Sequence, residues 1–548
     1  MLAATSKARP TPRRRAIAAA ALFAGALALP GAPALGADAS ERLSALDAAA
    51  IEAMIEIVAH DNEDASTRLR LAAMLERVGE RTHAAELVRE AAAIDEALRT
   101  HLERPDIEAC QTCDRSTGAD VILGDINGIA NYGFDGDLAD GVSAYAVGTT
   151  SCNIGDEIMS WNDEVHPVIA QNMHRIKDGR FEQIGMSWLK HGFCALQQNL
   201  CGPCEGPAGC PQVLYPNCSD PYSAGLNGTQ SLLGPRWEVN PSAGTYVLPF
   251  DSPPIENNLI DRRLQVRNAD VAPEHNPGAL YFVEGIYIHL EDAQAGNALN
   301  NASYRRVNIN LNGQQTQYRA SFVVNNPTRV GLPAVYAWQE YDPEVRIDIV
   351  DIPDEGGEGM PARILIATRV SEIEDDVWRY VYAIQNLNSD RGVRAFRLPS
   401  PGLADSGYTA EFHAPDYHSG DGVDGVTIEN TPWEFTPSTG VAAWATENYS
   451  ENPNANALRW GTVYTFTITT PGRPPEEGDC VLGLFKPGAG PASLAVSLPA
   501  PGGCFLAGDV TGDGEVGFDD LSEVLSGFGE TYGFEDLSAV LATFGASC

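Results

Sequence analysis

Oxygen-bearing side chains recur at alternate positions of DVTGDGEVGFDD (509–520), as a twelve-residue calcium loop requires. Such a loop takes ligands from positions 1, 3, 5, 7 and 12, and a glycine, here Gly514, makes the sharp turn at position 6. The residues expected to hold the ion are Asp509, Thr511, Asp513, Glu515 through its carbonyl, and Asp520. The spacing therefore predicts calcium as the cofactor.

The calcium loop is followed by an internal repeat. GFDDLSEVLSGFG (517–529) recurs as GFEDLSAVLATFG (533–545), and both copies have the apolar spacing of an amphipathic helix. In the second loop, which would precede the second copy, Leu525, Gly527 and Gly529 stand where positions 1, 3 and 5 should be. We therefore expect two similar helices and one calcium ion.

The loop and the repeat together resemble dockerin and dockerin-like bacterial modules. Asp520 rather than glutamate closes the loop, and the apolar Val516 follows position 7. The resemblance implies that residues 504–548 dock onto a cohesin-like partner or hold the protein at a cell surface. A loop that binds calcium only in order to fold is the alternative.

HGFCALQQNLCGPCEGPAGCPQVLYPNC (191–218) concentrates cysteines among turn-forming residues. The cysteines that could supply zinc thiolates or form disulfides are Cys194, Cys201, Cys204, Cys210 and Cys218, with Cys110 and Cys113 upstream. Irregular spacing and an exported chain favour disulfides over a zinc site. We also expect a disulfide between Cys504 and Cys548, which bracket the C-terminal module. The total of eleven cysteines leaves at least one without an intramolecular partner.

Histidines offer a second metal chemistry. His166, His174 and His191 lie within 26 positions, and alternation in FEQIGMSWLKHGF (181–193) places His191 on the polar face of a strand. Imidazoles gathered there would bind zinc or copper, which gives an exported metal oxidoreductase as one hypothesis. Because no compact His-x-His motif is present, hydrogen-bonded structural histidines are the alternative.

An extracellular enzyme that degrades polysaccharide, a glycoside hydrolase or lyase, is a further hypothesis. Glycoside hydrolysis uses paired carboxyl groups, and the candidates are Asp163, Glu164, Glu182, Glu284 and Glu291. The tryptophans that could stack on sugars are Trp338, Trp433 and Trp460. So many acids are available that spacing selects no catalytic residue, and the sequence leaves open whether the protein is an enzyme.

The elements that must position these residues begin after an export signal. Basic KARPTPRRR (7–15) precedes an apolar run of small residues (16–37), which predicts a secretory signal peptide over 1–37, by the Sec or the twin-arginine route. Pro30 and Pro33 interrupt the apolar run, so we expect no permanent membrane span. The net charge of −38 excludes nucleic acid as a partner. The predicted location is extracellular or at the cell surface.

Composition divides the rest of the chain. Residues 38–104 are rich in Ala, Leu, Glu and Arg, and STRLRLAAMLERVGERTHAAELVREAAAID (66–95) resembles one tetratricopeptide-like helical hairpin. Beyond Pro105 short alternating runs between turn residues predict antiparallel β-sandwiches. The predicted divisions are a Cys/His-containing β-rich domain (105–300), a β-sandwich (301–485), a linker (486–503) and the calcium module (504–548). The fold class is thus mainly β, with an N-terminal helical segment and a small C-terminal α-helical module.

Three short stretches predict individual hairpins and strands. YRRVNINLNGQQTQYRASFVV (304–324) sets two alternating runs around an Asn-Gly turn, which predicts a hairpin. VWRYVYAIQNLNSDRGVRAFRLP (377–399) suggests a second hairpin, and AVYAWQEY (334–341) suggests a strand.

Several stretches are similar to a group of large exported bacterial proteins of planctomycete type, which often end in a dockerin-like tail. These stretches are residues 151–194, SDPYSAGLNGTQSLLGPR (219–236), WRYVYAIQNLNSDR (378–391), DYHSG (416–420) and ALRWGT (457–462). The resemblance implies kinship and export, and no particular reaction. We therefore expect a secreted, calcium-binding β-sandwich protein that acts as a binding or structural component at the cell surface or in an extracellular complex. Polysaccharide is the alternative partner to a protein.

Overall fold

The computed structural model describes residues 115–314, 316–400, 403, 407–418, 420–438, 440–502, 508–511, 515–529 and 531–546. The predicted signal peptide and helical segment lie outside these residues, as do Cys110, Cys113, Cys504, Asp513 and Cys548. The described part is mainly β and consists of several antiparallel sheets, which confirms the predicted fold class.

The strands in chain order are β1 (Val121–Asp135), β2 (Val142–Asn153), β3 (Met159–Ser160), β4 (Val168–Lys177), β5 (Arg180–Met186), β6 (Leu189–His191), β7 (Val213–Leu214), β8 (Ser219–Tyr222), β9 (Leu233–Gly234), β10 (Val239–Asn240), β11 (Thr245–Tyr246), β12 (Leu264–Arg267), β13 (Leu280–Ile288), β14 (Ala302–Leu311), β15 (Tyr318–Phe322), β16 (Arg346–Gly357), β17 (Met360–Glu374), β18 (Val377–Asn386), β19 (Val393–Pro399), β20 (Thr409–His413), β21 (Glu434–Ser438), β22 (Val441–Ala445), β23 (Thr462–Pro471), β24 (Pro475–Leu484) and β25 (Ser493–Pro501). The α-helices are α1 (Ala224–Asn227), α2 (Asn268–Val271), α3 (Leu290–Gln294), α4 (Tyr336–Tyr341), α5 (Phe518–Ser526) and α6 (Phe534–Thr543). Among the short 3-10 helices is Arg236–Glu238.

An eleven-stranded sheet organises the first region of the protein, β1 to β15. Its main path runs β1-β2-β12-β5-β4-β13-β14-β15, while β8 pairs with β2, β6 with β4, and β9 with β6. Three register shifts interrupt β1 where it pairs with β2, and such shifts bend a strand. β1 thereby reaches the far end of the sheet, where the Asn131 amide exchanges hydrogen bonds with the backbone of Ala320 in β15.

The first region extends beyond the boundary predicted at residue 300. β14 pairs with β13 from Tyr281↔Val307 to Ile286↔Ala302, so the chain on both sides of the boundary belongs to one sheet. The composition changes at residue 300 because the histidines and cysteines cluster before it, whereas the strand pairing continues. The 304–324 hairpin is confirmed: β14 and β15 pair antiparallel from Val307↔Phe322 to Leu311↔Tyr318.

Residues 346–501 form a β-sandwich of two five-stranded sheets. The sheet orders are β16-β17-β18-β23-β20 and β21-β22-β19-β24-β25. An aromatic core fills the space between them, with Phe396, Trp444 and Phe466 in mutual ring contact. β18 and β19 lie in opposite sheets, so the prediction of a hairpin over 377–399 was wrong.

The predicted linker (486–503) contains the last strand of the sandwich. β25 pairs with β24 at nine consecutive positions, from Pro475↔Pro501 to Gly483↔Ser493. Alternate residues of SLAVSLPA turn toward the core, and Leu498 and Ala500 are buried there. The flanking Pro and Gly residues suggested a linker, but the alternation within them is that of a strand.

The central strands β17, β18 and β23 of the sheet β16-β17-β18-β23-β20 are largely buried on both faces. In β17, Ile364 and Ile366 enter the sandwich core, whereas Leu365 and Ala367 pack against the first region. Trp338 joins this second core from α4, in the segment for which the sequence suggested a strand. One continuous packing interface therefore joins the first region to the sandwich.

The C-terminal helices α5 and α6 pack on each other around a small core. Val516, Val524 and Val540 are buried in it, and Leu521 and Leu537 pack against them. Val516 also exchanges backbone hydrogen bonds with Gly545 and Ala546, which ties the calcium loop to the end of α6. Within the described residues, no helix has the length and apolar character to cross a membrane.

Candidate functional site

Three disulfides cross the cysteine-rich segment 191–218. They join Cys194 to Cys210, Cys204 to Cys218, and Cys152 of β2 to Cys201. Cys201 and Cys204, which the zinc hypothesis required as a pair of ligands, belong to two different disulfides. The prediction of a disulfide-linked loop is therefore confirmed in its described part. Cys480, in β24, is a buried free thiol.

The three histidines proposed as metal ligands do not meet. His166 Nε2 and His191 Nδ1 share a hydrogen bond of 2.9 Å, and Tyr246 packs against both rings. His174 lies in β4 eight residues beyond His166, about 26 Å along an extended strand, and contacts Glu284 instead. Burial lowers the pKa of His166 to about 3 and also lowers that of His191. This histidine pair is neutral and structural.

Glu284 lies at the centre of a buried polar network. Its Oε2 accepts hydrogen bonds from Asn172 Nδ2 at 2.8 Å and His174 Nε2 at 3.1 Å. Its Oε1 accepts from the backbone N–H of Ala334 at 2.7 Å and from Gln385 Nε2 at 2.8 Å. Burial raises the pKa of Glu284, but these hydrogen bonds outweigh it and hold the pKa below its usual range. The carboxylate thus joins β4, β13, β18 and the start of α4.

Three of the carboxyl groups suggested for polysaccharide hydrolysis, Glu182, Glu284 and Glu291, are committed to internal contacts, whereas Asp163 Oδ1 has no hydrogen-bond partner among the described residues. Glu182 accepts a hydrogen bond of 2.6 Å from Arg175, and Glu291 accepts two of 2.6 Å from Ser160. The tryptophans suggested as a sugar platform, Trp338, Trp433 and Trp460, are all buried. Of these side chains, only Trp460 is among those that line the cleft described below.

The described part of the calcium loop brings its oxygen atoms together around Asp520. Asp520 Oδ1 accepts from the backbone N–H of Thr511 at 3.0 Å and from its hydroxyl at 2.9 Å, while Oδ2 accepts from Gly517 N–H at 2.7 Å. The same hydroxyl lies 3.5 Å from Asp509 Oδ1, so positions 1, 3 and 12 converge. Burial raises the pKa of Asp520, and the hydrogen bonds more than offset it and lower the pKa. Hard oxygen atoms at these positions fit calcium.

Asp513, the expected ligand at position 5, lies outside the described residues, and Glu515 is present at position 7 with an exposed side chain. No group of three or more His, Cys, Asp or Glu side chains suited to a metal ion occurs within the part of the chain that the structure describes. The calcium site therefore stays a prediction, supported by the convergence of Asp509, Thr511 and Asp520.

A cleft that the sequence did not predict opens where the first region meets the sandwich, and we call it the junction cleft. Arg236 and Trp237 line it from the first region, and Asp421, Arg459 and Trp460 line it from loops of the sandwich. The enclosed space at its base is about 20 Å³, enough for one ordered water. Clefts between regions of a protein are common ligand sites.

Hydrogen bonds to the first region hold the Arg236 side chain in place in the wall of the junction cleft. Its guanidinium donates from Nε to the carbonyl of Ser187 at 2.8 Å and from Nη2 to Asn172 Oδ1 at 2.8 Å. Asn172 in turn donates to Glu284, so the cleft and the buried network share this arginine. Burial lowers the pKa of Arg236 to about 10, which leaves it charged at neutral pH.

Asp421 faces Arg236 across the junction cleft and has fewer partners. Its Oδ2 accepts from the backbone N–H of His418 at 2.8 Å, while Oδ1 has no hydrogen-bond partner among the described residues. Burial raises the pKa of Asp421 to about 7, although the backbone N–H groups of His418 and Ile428 and the charges of Arg236 and Arg459 act in the opposite direction.

Five separate segments of the chain line the cleft, so no local sequence motif predicts it. The available signal was a repeated dipeptide: Arg236-Trp237 and Arg459-Trp460 both line the cleft. Arg391 and Tyr417 also line it, and each lies in one of the short stretches that resemble planctomycete-type proteins.

Comparison with known proteins adds no assignment. No protein-family model matches the chain, and no curated protein is significantly similar to it. The function must therefore be argued from the side chains described above.

Proposed function

We propose that the protein is a secreted, calcium-binding β-sandwich protein that acts as a binding or structural component at the cell surface or in an extracellular complex. In this proposal the C-terminal helices bind a partner protein and thereby anchor the β-rich regions to it. Three disulfides support an oxidising, extracellular location.

The observation that carries the proposal is an exposed apolar face on α5 and α6. Its six large side chains are between 41 and 79 % exposed, and they are Phe518, Leu525, Phe528, Phe534, Leu541 and Phe544. The sequence repeat relates them in pairs, so the face has approximate two-fold symmetry. Apolar patches of this kind commonly mark protein interaction sites.

Ring contacts hold this apolar face together across the two helices. The Phe518 and Phe544 rings are 5.1 Å apart, and the Phe528 and Phe534 rings are 5.9 Å apart, so each contact joins the start of one helix to the end of the other. The calcium loop immediately precedes α5, so ion binding would fix the start of the helix that carries Phe518. The dockerin resemblance supports a cohesin-like domain as the partner.

No comparable observation favours the two enzyme hypotheses. Glu182, Glu284 and Glu291 are engaged in internal hydrogen bonds. His166 and His191 pair with each other. A binding or structural role therefore has the better support.

The test compares the full chain with a variant carrying Phe518→Ser and Phe534→Ser. Val324→Ser is the matched control, because Val324 is also highly exposed but lies after β15. Affinity for a panel of purified cohesin domains is measured with calcium and with a chelator. We expect calcium-dependent binding that falls on the order of a hundredfold in the double variant and not in the control. Binding to no domain of the panel, or equal binding by the double variant, would contradict the proposal.

A further inference from the structure

The junction cleft contains polar atoms that the protein does not satisfy by itself. Arg459 Nε and Trp237 Nε1 are buried donors, and Asp421 Oδ1 is a buried acceptor. None of the three has a hydrogen-bond partner in the part of the chain that the structure describes. The Asp421 side chain is only 2 % exposed, so bulk water does not compensate freely. Such atoms cost free energy unless a bound molecule pairs with them.

The charge of the junction cleft opposes the charge of the whole chain. Its cationic side chains are Arg236, Arg391, Arg459 and Lys486, and its carboxyl groups are Asp390 and Asp421. Lys486 is paired with Asp390 at 2.6 Å, which leaves three arginines and Asp421 in the lining, and Arg236 and Arg459 are the two that act on Asp421. The chain as a whole has 74 acidic against 36 basic residues. A local excess of arginine on so acidic a protein favours an anionic group in the cleft.

Aromatic rings form the walls of the junction cleft. Arg459 lies 5.1 Å from the centroid of the Phe485 ring, and Arg236 lies 5.7 Å from that of Trp460. Trp237 and Tyr417 complete the walls. The enclosed space at the base admits one water-sized group, such as a single carboxylate oxygen, so the body of a ligand would lie at the mouth against these rings.

We propose that the junction cleft binds a sugar acid, with the carboxylate of a uronate accepting hydrogen bonds from Arg459 Nε and Trp237 Nε1 while a sugar hydroxyl donates to Asp421 Oδ1. A simple carboxylate would satisfy the two donors and leave Asp421 Oδ1 unpaired. A neutral sugar would bring hydroxyl groups but no charge for the arginines. A hydroxylated carboxylate satisfies both. This site is separate from the C-terminal apolar face and does not depend on it.

The test titrates the full chain by calorimetry with galacturonate, galactose and acetate. Galactose has a neutral hydroxymethyl group where galacturonate has its carboxylate, and acetate lacks the hydroxyl groups. We expect galacturonate to bind at least about tenfold more tightly than either, since a charged hydrogen bond is lost in one case and the Asp421 contact in the other. Absence of galacturonate binding, or affinity equal to that of galactose or acetate, would overturn the proposal.

Two tryptophan variants separate recognition from folding. Trp237→Phe removes the indole N–H in the cleft together with the five-membered ring, and Trp378→Phe makes the same loss of size and of an equally unpaired N–H in β18, outside the cleft. We expect Trp237→Phe to weaken galacturonate binding about fivefold and Trp378→Phe to leave it unchanged. Equal effects of the two changes would contradict the assignment. The Phe518→Ser and Phe534→Ser variant should bind galacturonate normally, so the two proposals can fail independently.

Discussion

Glu284 and Asp421 are both buried carboxyl groups close to Arg236, but their surroundings differ. Glu284 accepts four hydrogen bonds and its pKa is lowered. Asp421 has one unpaired oxygen among the described residues, and its pKa is raised to about 7. A buried carboxylate whose acceptors are all occupied belongs to the scaffold. One with an unfilled acceptor beside a cleft marks a place where another molecule can bind.

The largest expected effect is on the completed network. Glu284→Gln replaces one carboxylate oxygen with an NH₂ group that must face a donor, and it leaves His174 without its anionic partner. We expect the free energy of unfolding to fall on the order of 3–5 kcal/mol, as measured by urea denaturation. Glu374→Gln, at an exposed position at the end of β17, is the control. A loss below about 1 kcal/mol would remove the contrast between the two carboxyl groups.

Acid should destabilise the protein through its buried histidines. Burial lowers the pKa of His418 to about 4 and that of His166 to about 3, whereas both would ionise near 6.5 when unfolded. The two neutral histidines contribute fully to the free energy of unfolding above pH 6.5. Between pH 6.5 and the folded-state pKa of each histidine, that contribution falls by about 1.4 kcal/mol per pH unit for each of them. Asp421 acts in the opposite direction, because its raised pKa makes the folded state hold a proton up to about pH 7.

His418→Gln tests this pH dependence at the edge of the junction cleft. Urea denaturation between pH 6.5 and about 4.5 should show a slope smaller by about 1.4 kcal/mol per pH unit in the variant than in the wild type. Identical slopes would show that His418 already takes up a proton in the folded protein.

The two halves of the C-terminal repeat extend the comparison. Asp520 and Asp536 each accept a hydrogen bond of 2.7 Å from the glycine that precedes their helix, but only Asp520 also accepts from Thr511. We expect Asp520→Asn and Asp536→Asn each to cost about 1 kcal/mol as weakened helix caps. Only Asp520→Asn should abolish the calcium-induced rise in melting temperature. Equal calcium responses in the two variants would argue against the predicted site.

The smallest effect is expected at Asp421. Asp421→Asn exchanges a carboxyl group that is largely protonated below pH 7 for a neutral amide of the same shape. We expect a change within about 1 kcal/mol in the free energy of unfolding under the conditions used for Glu284→Gln. A loss comparable to that of Glu284→Gln would mean that Asp421 is part of the scaffold after all.

The parts of the fold that could be predicted from sequence depend on local pattern. The 304–324 hairpin was recognisable because an Asn-Gly turn and two alternating runs lie within twenty-one residues. The prediction of a linker at β25 was wrong because Pro and Gly residues flank the alternating pattern of the strand. The departure of β19 to the opposite sheet depends on tertiary packing, which no short stretch encodes.

The same distinction explains the sites. Cysteine content and export predicted disulfides, but the partner of Cys201 is Cys152, 49 residues away in β2. His166 and His174 are close in sequence, which suggested a metal site, but most of the chain between them belongs to the extended strand β4. The junction cleft is formed by five separate segments, and the repeated Arg-Trp dipeptide is the one sequence feature that two of them share.

Burial of β17 and β18 on both faces also bears on how such a protein can evolve. Leu365 and Val381 cover the first region, whereas Ile364 and Tyr380 face the opposite sheet of the sandwich. A gene fragment that carried only the sandwich would therefore encode a sheet with one apolar face exposed to water. Recombination should transmit the first region and the sandwich together as one heritable unit. The C-terminal helices, which have a core of their own, can be exchanged as a cassette.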